Sequence, residues 1–201
     1  MTDNFIEICI KMKFIDYCKN GNLEEAKKFL EEKTIDCGYF NNCVELVNRL
    51  VKIKLGIDVS MYDESPFRDA CENGHIEVAK WLLEIKPNIN ISAMNEYAFR
   101  WACERGHIET AKWLLEIKPT INISANDDYA FREACANGHL EIAQWLLTVN
   151  PNIDIYAVNN FAFRGACGRS HLEVVNWLQS LSPGKFKFEV LNDKIVSYNV
   201  N

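Results

Sequence analysis

The sequence predicts an all-α repeat solenoid: a stack of helix-turn-helix units with irregular N-terminal copies and a β-hairpin at the C-terminal end. Three observations predict it. Cys71, Cys103, Cys135 and Cys167 recur every 32 residues, and His75, His107, His139 and His171 keep the same step, as do Trp81, Trp113, Trp145 and Trp177. Pro87, Pro119, Pro151 and Pro183 then punctuate each period. A hydrophobic fraction of 48% is enough for a core, and five prolines with nine glycines exclude a collagen-like or low-complexity chain.

The N-terminal copies are recovered by register. Asn20-Gly21-Asn22-Leu23 resembles the turn and helix start of the later units, and Asn41-Asn42-Cys43-Val44 lies 32 residues before Asn73-Gly74-His75-Ile76. Only 21 residues separate Gly21 from Asn42, so this junction is truncated. The organisation expected is an extension over 1–11, a repeat domain over 12–183 and a tail or hairpin cap over 184–201. The repeat domain divides into six helix pairs at about 12–34, 35–60, 61–92, 93–124, 125–156 and 157–183.

Within the strong units, Phe99-Arg100-Trp101-Ala102-Cys103 reads as the first helix and Arg105-Gly106-His107 as the turn. Ile108, Ala111, Leu114 and Leu115 recur at helical spacing and supply the apolar stripe of a second helix, with Glu109, Lys112 and Glu116 on its wet side. Pro119 helps to end that helix, and Ile121-Asn122-Ile123 leads on as an extended connection. Past Pro183-Gly184 the pattern changes. Lys185-Phe186-Lys187-Phe188-Glu189-Val190 alternates like a strand, Leu191-Asn192-Asp193-Lys194 supplies a turn, and Ile195 to Val200 returns. Such a hairpin can cap the last repeat or serve as a separate binding appendage.

These motifs resemble the ankyrin-repeat family, in a divergent 32-residue form. Ser65-Pro66-Phe67-Arg68 stands at the family's helix start, followed by Tyr97-Ala98-Phe99-Arg100, Tyr129-Ala130-Phe131-Arg132 and Phe161-Ala162-Phe163-Arg164. Ala70, Ala102, Ala134 and Ala166 keep the small packing position; Gly74-His75, Gly106-His107 and Gly138-His139 match the turn; Leu82-Leu83, Leu114-Leu115 and Leu146-Leu147 match the second helix. Ser170-His171 and Leu178-Gln179 depart from the pattern. So do Arg68, Arg100, Arg132 and Arg164, which replace the family's histidine and can reach loop carbonyls or a neighbouring carboxylate through a larger donor fork. The resemblance implies non-enzymatic protein recognition through the first-helix face and the turn tips.

The recurring cysteines invite a metal or thiol reading. Packing explains their period more simply, because zinc needs its sulfur and nitrogen ligands about 2.0–2.3 Å from the metal while equivalent cysteines stand a repeat apart. The recurring four are expected to be reduced and structural, and Cys9, Cys18, Cys37 and Cys43, which form no metal-ligand pattern, fit a reducing environment better than a disulfide framework. No nucleotide loop, serine elbow or metalloprotease motif occurs, so neither a catalytic residue nor a cofactor is expected.

The candidate protein-binding residues lie where the repeats vary. Asp69, Trp101, Glu133 and Gly165 occupy one first-helix position, and Tyr97 and Tyr129 flank Trp101. Asp69, Tyr97, Trp101, Tyr129 and Glu133 form the proposed face, with stabilisation of neighbouring repeats as the competing role of the aromatics. The turn positions Tyr62-Asp63, Asn95-Glu96, Asp127-Asp128 and Asn159-Asn160 vary too. The expected partner is a protein. A charge of -6 argues against non-specific binding to a phosphate backbone, no specific nucleic-acid binding is expected, and no stretch is apolar enough to span a membrane. An intracellular, cytoplasmic monomer is expected, unless a partner assembles it. Two alternatives stay open: an adaptor in a larger protein-modification complex, and a metal-dependent effector.

Overall fold

The computed structural model describes residues 12–32 and 61–200. The chain divides into two compact units, Met1–Ala98 and Phe99–Asn201. The helix pair expected at 35–60 lies outside the described residues, as do Cys9, Cys37 and Cys43.

In the first unit, a helix over 12–19 pairs with Leu23–Glu32, and Met61–Glu72 pairs with Ile76–Ile85. In the second, Ile108–Ile117, Ala125–Ala136, Leu140–Val149, Ala157–Gly168 and Leu172–Leu181 are followed by β1 (Phe186–Leu191) and β2 (Lys194–Val200). Helix Ala93–Glu104 runs across the boundary.

The Ala-Cys-x-x-Gly-His motif closes the first helix of three pairs, at residues 70–75, 102–107 and 134–139. The His139 amide donates to Ala134 O at 2.9 Å and the Gly138 amide to Cys135 O at 3.1 Å. This is a Schellman ending, which needs a left-handed residue at Gly138, whose φ is +84°. Glycine is the least costly choice there. The same pair of bonds recurs as His107 to Ala102 and Gly106 to Cys103, as His75 to Ala70 and Gly74 to Cys71, and as Asn22 to Tyr17 and Gly21 to Cys18. Ser170 fills the position in the last copy at φ +59°, with its amide on Cys167 O.

Alanine and cysteine hold the two acceptor positions of this ending in the later copies, where they are enclosed; in the first copy the alanine position is Tyr17. Ala102, Cys103, Ala134 and Cys135 are wholly buried. The free thiols of Cys71, Cys103, Cys135 and Cys167 are pushed well up from their ordinary range by burial, to about 12 at Cys167. Cys18 is also about 12, from burial and then the Asp69 charge. A protonated, enclosed sulfur is inert, and these cysteines serve as small apolar packing groups.

Aromatic pairs join successive repeats. Phe99 meets Trp145 with centroids 6.3 Å apart, and Phe131 meets Trp177 at 6.2 Å. In the first unit Phe14 meets Trp81 at 6.4 Å, and a Cβ on Gly21 would lie 2.4 Å from the His75 ring. Gly106 and Gly138 stand under His139 and His171 in the same way. The 12–32 pair therefore takes the place of the repeat immediately before 61–92.

Three of the strong units begin with three consecutive left-handed residues before the right-handed helix. They are Met94, Asn95 and Glu96; Asn126, Asp127 and Asp128; and Val158, Asn159 and Asn160, with φ between 51° and 61°. Left-handed backbone costs roughly 1–2 kcal/mol per ordinary residue and less for Asn or Asp, which supply six of the nine positions. The sequence reading places loops here. The structure makes them ordered turns, with Asp128 buried and its Oδ2 accepting the Asp154 amide at 3.0 Å.

The hairpin forms as the alternation predicts. Phe186 pairs with Val200 and Leu191 with Lys194. Asn192 and Asp193 make the turn, both at positive φ, as a two-residue primed turn requires.

Candidate functional site

The variable first-helix positions fall into two groups, one in each unit. In the first, Asp69 accepts a hydrogen bond from Ser65 Oγ at 2.9 Å. Its carboxyl lies above the usual range, chiefly through burial, against the opposing effects of Ser65 and Arg68. Tyr97 donates its hydroxyl to Glu72 Oε2 at 2.7 Å, and the Arg68 guanidinium covers its ring at 4.6 Å.

The second group repeats this arrangement. Tyr129 donates to Glu104 Oε2 at 2.6 Å, under the Arg100 guanidinium at 4.7 Å. Burial first, then the Glu104 bond, pushes the phenols of Tyr129 and, with Glu72, Tyr97 well above their ordinary range. Each tyrosine thus ties its repeat to the first helix of the preceding one. The competing role weighed for these aromatics is present in the geometry.

The sequence carries a signal for this tie. Tyr97 and Tyr129 stand 25 residues after Glu72 and Glu104, and where the tyrosine becomes Phe161 the acid becomes Ala136. Arg132 still covers Phe161 at 5.1 Å. Without the acid the helices approach closely, and a Cβ on Gly165 would lie 2.5 Å from Ala136 Cβ. Arg169 Nη1 donates to Ala136 O at 3.0 Å across the same junction.

The arginines that replace the family's histidine also hold the left-handed turns. Arg132 Nε donates to Asp127 O at 2.7 Å and Nη2 to Asn126 O at 3.1 Å, and Arg164 Nη1 reaches Asn159 O at 3.4 Å. Imidazole offers at most two ring donors pointing apart; the guanidinium offers a fork that takes adjacent carbonyls.

Trp101 and Glu133 lie in the second group as well. The Trp101 ring is half-buried, 6.3 Å from Tyr129, with Arg105 over it at 5.4 Å. The Glu133 carboxyl lies above its ordinary range through burial and then the Glu104 charge, partly offset by Arg132 and Arg169. The structure therefore brings Trp101, Tyr129, Glu104 and Glu133 into one neighbourhood; Glu104 is the member that sequence reasoning omits.

The turn histidines provide a pH test of the repeat junctions. Burial holds His139 below its ordinary value, and the His171 charge adds to this against a hydrogen bond to the Glu104 backbone. His171 is lowered by burial and then Arg169. A lowered folded-state value means that the unfolded chain binds more protons, so stability is retained above the unfolded value near 6.5 and lost as pH falls through it. Urea midpoints measured between pH 8 and 5 should decline below about pH 6.5, and His139→Gln should flatten that decline.

Among the described residues, no group of three or more His, Cys, Asp or Glu side chains could hold a metal ion, and no helix is long and apolar enough to cross a membrane. Paired short helices, Gly-His turns and a variable first-helix face define a repeat protein built to present side chains.

The comparisons agree with that class. The ankyrin-repeat family model matches in three overlapping copies, over residues 15–127, 69–159 and 101–188. An ankyrin repeat family protein from Legionella pneumophila, of known structure, is 30% identical with a TM-score of 0.54; the match covers 70% of this chain and 41% of that one. No curated protein matches. The chain belongs to the ankyrin-repeat family, a non-catalytic scaffold class that serves protein recognition.

Proposed function

We propose that this protein recognises a protein partner through its first-helix face, with Trp101 and Glu133 at the centre and a cationic side chain of the partner as the ligand. The observation that carries this reading is the Glu133 carboxyl, half-buried beside the Glu104 charge. A lysine or arginine placed there relieves the repulsion, and the exposed part of the Trp101 ring supplies apolar and cation–π contact. Tyr129 positions this group from below, while Asp69 and Tyr97 extend the same surface type in the other unit. Fixed turns and enclosed cores hold such a face in place without catalytic chemistry. Cytoplasmic location and a monomeric chain complete the proposal.

The test begins with a random-peptide display selection on the purified protein, followed by affinity measurements with Trp101→Ala and Glu133→Lys. Basic peptides should be enriched. Each variant should weaken binding by about 2 kcal/mol, the scale of a central aromatic or charge anchor. Binding should also weaken as pH falls into the carboxylate range, because protonated Glu133 loses its attraction for a cation. Unchanged affinity in both correctly folded variants rejects this face.

A further inference from the structure

We infer that the C-terminal hairpin is a surrogate repeat: it occupies the seats that a following helix pair would fill, holds the last pair folded, and denies that end to a second copy of the chain. Two contacts carry the inference, each matched to a junction inside the array.

The first is the ring seat. Phe99 and Phe131 each meet a tryptophan 46 residues further on, Trp145 and Trp177. On Phe163 it is Phe186 from β1 that stacks, with centroids 4.2 Å apart and planes at 11°. Tyr198 from β2 meets the same ring edge-on at 6.2 Å. Phe163 and Phe186 are consequently buried as fully as Phe99 and Phe131.

The second is the turn seat. Gly106 and Gly138 lie against the histidine rings of the next repeat. The equivalent residue in the last pair is Ser170, and its Oγ accepts the Ile195 amide of β2 at 3.4 Å. A glycine has no side chain to make that bond, so the departure from Gly-His falls where the neighbour changes from a helix pair to a strand. Gln179, which departs from the Leu-Leu pair, likewise donates through Nε2 to Phe186 O at 3.0 Å. Two sequence irregularities of the last repeat, Ser170 and Gln179, are thus hairpin contacts.

The imitation stops at one atom. Glu64 and Asp128 accept the amide of the residue 26 positions later, Asn90 and Asp154. For Asn160 that residue is Phe186 itself, and Asn160 Oδ1 is buried with no partner. Further from the array, exposed Lys187, Glu189, Lys194 and Asn199 alternate with exposed Val190, Leu191, Val196 and Tyr198, so charge is interleaved with apolar surface on the hairpin.

The experiment uses the full chain with Phe186→Ala and Phe186→Trp, the latter restoring the residue type of the internal junctions. Hydrogen exchange resolved by segment and light-scattering mass across a concentration series are the readouts. Phe186→Ala should raise exchange over 157–181 by at least about tenfold while 108–117 keeps its rate, and should raise mass with concentration. Phe186→Trp should restore both. If Phe186→Ala releases the β1 and β2 amides but leaves 157–181 at the original rate, the hairpin is an appendage and the inference is overturned. Faster exchange with a constant monomer mass overturns the part that concerns a second copy.

Discussion

Phe131→Ala is expected to remove about 3–5 kcal/mol, the cost of truncating a large, fully enclosed aromatic in a core that relaxes only partly. Phe131 has no exposed surface, and its ring meets Trp177 from the next repeat. In a repeat array, stability is close to a sum of unit and junction contributions, so a loss at one junction need not unfold the whole chain in one step. The thermal transition should therefore fall and broaden, with exchange rising first in the helices Ala125–Ala136 and Leu172–Leu181. A double-mutant cycle with Trp177→Leu should give a coupling of about 0.5–1.5 kcal/mol for the ring pair. A loss below about 1 kcal/mol for Phe131→Ala would remove this ring from the list of junction anchors, since core truncations of this size exceed it.

The repeat period was legible because packing constrains the same atoms in every copy. A thiol that must be small and dry at Cys103 must be so at Cys135, and a glycine that must adopt positive φ at Gly106 must do so at Gly138. Periodicity therefore yields the fold class, the turn and the buried faces. The face is harder, since its variation has two sources that sequence alone leaves mixed. Tyr97 and Tyr129 vary with Phe161 because each is matched to the residue at position 72, 104 or 136; that variation is structural. Trp101 and Glu133 are both half-exposed, so their variation is open to a surface role. The three-residue left-handed turns were not legible either. Asn and Asp in a loop announce a turn, but three positive-φ residues in succession depend on an arginine five or six positions away in sequence. The truncated N-terminal junction shows the same limit. Register finds the 12–32 copy, whereas the Phe14–Trp81 contact shows which later copy it meets.

That dependence on arginine makes Arg132 the second position with a large expected effect. Its side chain is buried, donates two charge-assisted bonds to Asn126 O and Asp127 O, and lies against Phe161. Hydrogen bonds to a charged group are worth roughly 1.5–3 kcal/mol, and a carbonyl left buried without a donor costs a similar amount. Asn126 and Asp127 are exposed at the surface, so water can replace part of what is lost, and Arg132→Ala should cost about 2–4 kcal/mol. Arg132→Lys keeps the charge and loses the fork, so it should recover less than half of that. Arg132→His is the sharper comparison. Imidazole is the family's usual group at this position, yet its two nitrogens diverge and cannot serve neighbouring carbonyls of a left-handed turn together. Urea midpoints should rank the original chain above the histidine and lysine variants, with alanine lowest. If histidine matches arginine, the turn is held by its own Asn and Asp residues, and the arginine's role shifts to its contact with Phe161.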